Sequence, residues 1–451
     1  MQNYSVDAEI YVKMNKKLIK RRALIIGVAV FFVFAVIFLF KLILGLAKGK
    51  SSSVNGGVTT YKDSVKVVCE AKILNTGDLL IHSPVLKAYY DENSRSYNFE
   101  KIFTYLSSYN KNFDYCGINL EGTLAESNFS GYPLFRCPGS LIDYAKEAGF
   151  NMFLTANNHA NDAGAEGFKK TTEILRSKNV DFIGRKVNEN DKKYIIKEIN
   201  GIKVGMVNYT YGEISDSGIA SVNGIPSSAQ NSKLLNVFDY KKLQDFYSEQ
   251  KKIIEEMKKL GAEKIIYYMH WGDEYQLKES KIQRSIAQKL SDLGVDVIVG
   301  GHPHVVQPMD VIHSDISGKD TICIYSVGNA VSNQRKELMN LNTGHTEDGV
   351  LFLVTFTKYS DGKVLTTNID VVPTWVHLYT GKDGKRAYVI IPLDKKLDWK
   401  NDLGLNSSTD GFESANASFE RTMKLLASGL EKAKDVVLKN MVSAYPKIYK
   451  R

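Results

Sequence analysis

Apolar and polar positions follow two rhythms along this chain. Short apolar runs at residues 65–75, 115–119, 151–155, 180–184, 264–269, 295–299 and 321–327 predict strands. Between several of them, an apolar residue every three or four positions predicts helices at 162–177, 239–260 and 282–293. In the second of these, Leu243, Phe246, Ile253, Met257 and Leu260 share one side. Such alternation predicts an α/β architecture with at least one largely parallel sheet. Two turn dipeptides add antiparallel pairs: Asn200-Gly201 separates runs 194–199 and 202–210, and Asp361-Gly362 separates 350–358 and 363–371. Residues 395–451 read differently, as a polar stretch followed by a helix with Phe419, Met423, Leu426, Leu430, Val437 and Met441 on one face. This C-terminal segment is expected to be a helical appendage that packs on the body or on a partner.

The N-terminal pattern belongs to neither rhythm. Residues 23–40 carry no charge, follow Lys13, Lys16, Lys17, Lys20, Arg21 and Arg22, and are extended by the apolar run 42–47. Eighteen helical residues rise about 27 Å, close to the thickness of a hydrocarbon core. The run is too long for a signal-peptide core, so residues 23–47 are expected to be an uncleaved transmembrane anchor. The flanking cations place residues 1–22 in the cytoplasm and the rest of this single-pass cell-membrane protein outside. Residues 48–64, rich in Ser, Gly and Lys, read as a flexible linker. The main domain is expected at 65–394.

Charge follows from that layout. Of the formal +9, most resides in residues 1–50, which hold nine Lys/Arg against two acidic residues. The remaining body is nearly neutral, which argues against a nucleic-acid partner. Cys69, Cys116, Cys137 and Cys323 form no C-x-x-C pair and are too few for a disulfide framework, and a Cys116–Cys137 bridge stays open.

Five of the eight histidines sit in polar motifs that directly follow apolar runs. These are Gly77-Asp78 with His82, Asn119-Leu120-Glu121, Asn157-Asn158-His159 with Asp162, His270-Trp271-Gly272-Asp273-Glu274, and Gly300-Gly301-His302-Pro303-His304. Ligands of open α/β sheets gather outside the carboxyl ends of strands, so the motifs can converge on one site. Two carboxylates, one carboxamide and several imidazoles without thiolate suit divalent Mn, Fe or Zn, or Mg, and a carboxylate can bridge two ions. His302 and His304 would share a side on a strand, whereas a turn would aim them differently and could still converge them. Each motif alone has a structural reading: Asp78 or Glu121 as a turn or helix-start carboxylate, Asn161 or Asp162 as an N-cap.

The ordered set G-D-x-x-x-H, N-L-E, A-N-N-H-A-N-D, H-W-G-D-E-Y, G-G-H-P-H-V-V-Q and Y-S-V-G-N resembles the capsule-biosynthesis family of poly-γ-glutamate synthesis proteins over about residues 70–375. That family's domain is a branch of the calcineurin-like metallophosphoesterases. The resemblance implies a four-layer α/β/β/α metallophosphoesterase-like sandwich behind an N-terminal transmembrane helix. It also implies a membrane-bound life beside membrane-embedded polymer synthase subunits, with poly-γ-glutamate or a related anionic polymer as partner. Carried over residue by residue, Asp78 and His304 resemble ligands of a first metal, Glu121 a bridging ligand, and Asn158, His270 and His302 ligands of a second. His82 is a further candidate ligand. His159 resembles the histidine that contacts phosphate and assists the leaving group, with Asp162 orienting it. The chain departs from the superfamily pattern in the four-residue Asp78–His82 spacing, in Glu121 replacing Asp, and in Ala160 replacing a carboxylate. Three readings stay open: a subunit of capsule-polymer synthesis and export, a metal-dependent phosphohydrolase or phosphodiesterase acting on a cell-envelope substrate, and a non-catalytic polymer-binding or scaffold module.

Overall fold

The computed structural model describes residues 65–449 except Asn340, Asn342, Asp383, Ser408 and Asp410. The expected cytoplasmic tail, anchor and linker at 1–64 therefore lie outside the described residues. Among the described residues, no helix is long and apolar enough to cross a membrane.

In chain order the strands of the two main sheets are β1 (Val67–Leu79), β2 (Tyr115–Leu120), β3 (Met152–Leu154), β4 (Asp181–Ile183), β5 (Tyr194–Ile199), β6 (Ile202–Tyr211), β7 (Val237–Phe238), β8 (Lys264–His270), β9 (Val297–Gly301), β10 (Val306–Ser314), β11 (Lys319–Val327), β12 (Asn329–Val331), β13 (Asp348–Tyr359), β14 (Val364–Thr380) and β15 (Arg386–Pro392). One sheet has the order β15-β14-β13-β1-β2-β3-β4, with β12 also on β1. The other runs β7-β6-β8-β9-β11-β10, with β5 on β6. Strands β1 to β4 are mutually parallel, as are β6, β8, β9 and β11. The two hairpins expected at Asn200-Gly201 and Asp361-Gly362 are the antiparallel pairs β5–β6 and β13–β14.

Period-two alternation within strands that are apolar on both sides makes this a sandwich. Val350, Phe352, Val354 and Phe356 of β13 face a core shared with Ile266 and Tyr268 of β8 and Val297 and Val299 of β9. The intervening Leu351 and Leu353 face outward, against α1 (Ser83–Tyr89), α2 (Ser140–Glu147) and α3 (Gly164–Ser177). On the second sheet, Ile265, Tyr267 and Met269 face α4 (Leu243–Lys259) and α5 (Lys281–Asp292). The fold is thus a mixed α/β sandwich with helices on both outer faces. All four cysteines are free.

The C-terminal helix α6 (Phe412–Ala444) packs on the body. It runs along the open edge between the sheets, against β14 and β10, and inserts Leu426, Leu430, Ala433 and Val437 into the inter-sheet core. Close approach requires Gly429, where a Cβ would lie 2.1 Å from the Met309 carbonyl oxygen. At its N-terminal half, Arg421 grips the buried Asp348 of β13 with Nε and Nη2, and Ser418 Oγ donates to the same carboxylate at 2.6 Å.

Removing one member of a buried ion pair strands the other without compensation. Arg421→Ala is therefore expected to destabilise the fold by about 3 kcal/mol, read from the urea midpoint. The apolar double substitution Asp348→Leu with Arg421→Met should cost less than Arg421→Ala alone.

Candidate metal centre

Strand periodicity carries most of the site into the gap between the sheets. On β2, Tyr115 faces the inter-sheet core, so Asn119 and then Glu121 continue on that side. On β8, Ile266 and Tyr268 do the same and His270 follows them. On β1 the inward set is Ala71, Ile73 and Asn75, which by strict alternation would turn Asp78 outward. A register shift between Thr76 and Asp78 reverses the parity, leaving Leu79 in the outer core and Asp78 inside. Asn158 enters from the loop after β3, His302 and His304 from the turn after β9.

That turn is not strand-like. His302 and His304 have φ of 96° and 56°, a left-handed conformation that non-glycine residues avoid. Backbone strain of this kind concentrates at functional sites, where the surrounding structure must hold it. Gly300 permits the turn's approach, since a Cβ there would lie 1.9 Å from the Tyr325 carbonyl oxygen.

The outcome is two overlapping groups of buried ligand atoms, Asp78–Glu121–His304 and Glu121–His270–His302, each with its atoms within 4.8 Å of one another. Glu121 belongs to both. Its Oε1 lies 3.7 Å from His270 Nε2 and 3.7 Å from His304 Nε2. Asn158 Oδ1 joins the second group at 2.8 Å from His270 Nε2. Asn119 Nδ2 donates to Asp78 Oδ1 at 2.8 Å and reaches Glu121 Oε2 at 3.5 Å, fixing the two carboxylates relative to each other. His304 Nδ1 faces Asn329 Oδ1 at 3.1 Å, which leaves Nε2 as the nitrogen turned toward Glu121. Neither Asn119 nor Asn329 was singled out from the sequence, although both are letters of quoted motifs.

The electrostatics of this constellation call for cations. Burial first, then the Asp78 carboxylate, push the Glu121 carboxyl well above its ordinary range. Burial, then repulsion from neighbouring imidazoles, push His270 and His302 well below theirs. Burial would lower His304 too, but the Asp78 carboxylate and Asn329 outweigh it and raise that ring. Glu121 Oε1 and His302 Nδ1 are buried without any hydrogen-bond partner. An orphaned carboxylate oxygen and an orphaned imidazole nitrogen in a buried oxygen/nitrogen donor set fit divalent ions, with Asp78, Glu121 and His304 around one and Glu121, Asn158, His270 and His302 around the other.

Beside the ligands, His159 Nδ1 lies 2.7 Å from Asp162 Oδ2, which also accepts the Phe135 N–H at 2.6 Å. The aspartate therefore holds the proton on Nδ1 and leaves Nε2 available. Phe135 meets the His159 ring edge-on at 4.7 Å, and nothing in the sequence marked it. His82 stands outside both ligand groups. The chain turns into α1 directly after it, so the ring packs edge-on against Phe135 at 5.1 Å and its Nδ1 accepts the Asn333 N–H at 3.2 Å.

The family described as bacterial capsule synthesis protein PGA_cap matches residues 72–334. The chain is 31% identical over 245 residues to the capsule biosynthesis protein CapA of Bacillus anthracis, covering 53% of this chain and 55% of that protein. The match thus spans little more than half that relative's length. It is 26% identical over 365 residues to the PGA biosynthesis protein CapA of Bacillus subtilis, covering 80% and 84% of the two chains. Solved structures similar to it include the calcineurin-like phosphoesterase YfkN of Bacillus subtilis, with TM-score 0.38, 16% identity, and 78% and 98% of the chains covered. Another is the sulfate thiohydrolase SoxB of Thermus thermophilus, with TM-score 0.37, 14% identity, and 78% and 60% covered.

Two measurements check the site. Elemental mass spectrometry after loading with Mn²⁺ should find about two ions per chain, about one in His270→Ala, and almost none in Glu121→Ala, which removes the shared ligand. For His82, burial lowers the ring from 6.5 to about 4. Below pH 6.5 the unfolded chain takes up a proton that the folded chain refuses, so stability is complete above 6.5 and lost as pH falls toward 4. His82→Asn should flatten that decline by about 2–3 kcal/mol, measured as the difference in urea midpoints between pH 7 and pH 4.5.

Proposed function

The chain belongs to the bacterial capsule synthesis protein family, and from that premise we propose that it is a membrane-anchored, extracytoplasmic subunit of capsule-polymer synthesis whose domain hydrolyses phosphoesters. The uncharged segment 23–40 behind six cations supports the anchor and its orientation. Poly-γ-glutamate is the polymer suggested by the motif resemblance and by the name of the Bacillus subtilis relative. Membrane-embedded synthase subunits would meet the chain through residues 1–48.

The observation that carries the hydrolytic reading is the shared carboxylate: one buried Glu121 faces both a two-histidine group and an aspartate–histidine group. Two divalent ions held there, when bound, would supply Lewis-acid charge to the attacking and leaving oxygens of a displacement at phosphorus. The protein's own residues do the rest. Asn119 and Asn329 hold the ligands in place. His159, oriented through its Nδ1–H by Asp162, presents Nε2 to the departing oxygen; in its doubly protonated form it would pass the Nε2 proton to that oxygen and keep the Nδ1 proton on Asp162. Phe135 packs on that ring and limits its rotation. Poly-γ-glutamate contains no phosphate, so the ester is on another envelope component and not in the polymer's own linkage.

The test is hydrolysis of p-nitrophenyl phosphate and its bis ester by the full chain in detergent with added Mn²⁺. Metal-dependent turnover is expected, abolished in His302→Ala with His304→Ala. His159→Gln should lower kcat by about 10²-fold with metal content unchanged. A chain that holds both ions yet turns over neither ester would overturn the hydrolytic reading and leave a scaffold subunit.

A further inference from the structure

A cleft of about 500 Å³ opens beside the metal centre, with His302 at its inner end. That volume is in the range of small-ligand pockets. His302 is 2% exposed and its Nδ1 has no hydrogen-bond partner. From His302 an aromatic path leads outward: the Tyr211 ring lies 4.8 Å from it, and Tyr240 stacks on Tyr211 at 5.9 Å.

The charges lining this cleft are unbalanced. Glu213 pairs with Lys241 at 2.9 Å, and Asp239 is satisfied by the N–H groups of Ile214 and Lys241. Asp273 and Glu274 are exposed at the mouth, and among the described residues neither forms an ion pair. The other polar lining is neutral and two-sided in its hydrogen bonding: Ser221, Asn223 and the backbone at Gly224, the Gly272 N–H being taken by Tyr240 Oη at 2.9 Å. Hydroxyls, which both donate and accept, can meet such a wall in both senses. Tyrosine rings add an apolar surface for the C–H faces of a ring.

Resting on the hydrolytic reading above, we infer that this cleft receives the alcohol side of the phosphoester, that this side is an uncharged, hydroxyl-rich ring of the saccharide class, and that the exposed carboxylates of Asp273 and Glu274 exclude polyanions such as the γ-glutamyl polymer. The centre thus serves a sugar phosphoester of the envelope, while the polymer is kept away from it.

Calorimetric binding to the Mn²⁺-loaded full chain in detergent at low salt tests this without requiring turnover. Glucose 6-phosphate is expected to bind about tenfold more tightly than tetra-γ-glutamate, and more tightly than inorganic phosphate. Asp273→Asn with Glu274→Gln should improve tetra-γ-glutamate binding about tenfold and leave the Mn²⁺ content unchanged. Asn223→Ala, on an exposed turn, should weaken glucose 6-phosphate about fivefold and leave inorganic phosphate unaffected. Equal affinity for the sugar phosphate and the tetraglutamate, no preference over inorganic phosphate, or no effect of the double neutralisation would each overturn the assignment. Sugar-phosphate binding without any ester hydrolysis would sink the hydrolytic reading alone. Hydrolysis of p-nitrophenyl phosphate without a saccharide preference would sink only the cleft assignment.

Discussion

A carboxylate with an unsatisfied oxygen, buried where two sheets meet, is the constraint on which this structure turns. Glu121 comes from the first sheet, and the imidazoles that face it, His270 and His304, come from the second. In the absence of cations the neighbouring carboxylates repel and the imidazoles crowd one another, so protein–protein contacts alone do not stabilise the arrangement. Packing must hold it in place: the inter-sheet core below, the left-handed turn at His302 and His304, and the glycines that let backbones approach closely. Such preorganisation makes ion binding favourable, because the reorganisation has already been met by the fold.

Much of this was legible in the sequence because strand ends announce themselves. An apolar run that stops at a polar motif fixes both a strand and its carboxyl end, and five such motifs indicated where the site would form. The order of the strands could not be read locally, yet alternation with helical periods was enough to expect an α/β architecture with a largely parallel sheet, while the sandwich was implied only by the motif resemblance. The hairpins were legible because Asn-Gly and Asp-Gly turns carry their geometry in two residues.

What escaped the sequence has physical causes. Simple alternation would have put Asp78 on the outer face, and only the register shift after Thr76 corrects it. The spacing of His302 and His304 left strand and turn both open, and the turn prevails because Gly300 fits tightly under the Tyr325 carbonyl. His82 has the composition of a ligand, but the helix beginning next to it sets its direction, and a backbone N–H from a residue 251 positions away takes its lone pair. The residues that position ligands, Asn119 and Asn329, act through hydrogen bonds across strands that no local pattern encodes. The C-terminal helix was visible as a helix but not as part of the inter-sheet core, because the groove that receives it exists only after distant strands have paired.

That last feature imposes an order on biogenesis. The inter-sheet core stays open along one edge until α6, made after every strand, closes against β14 and β10. Strands in a growing chain can pair early, but the apolar faces at that edge remain wet until residues 426–437 emerge. Long-range closure of this kind is slow and leaves sticky surface in the interim. The walls of the metal centre therefore settle only when this helix docks, so that competence to hold ions arrives late in folding and not with the first strand pairs.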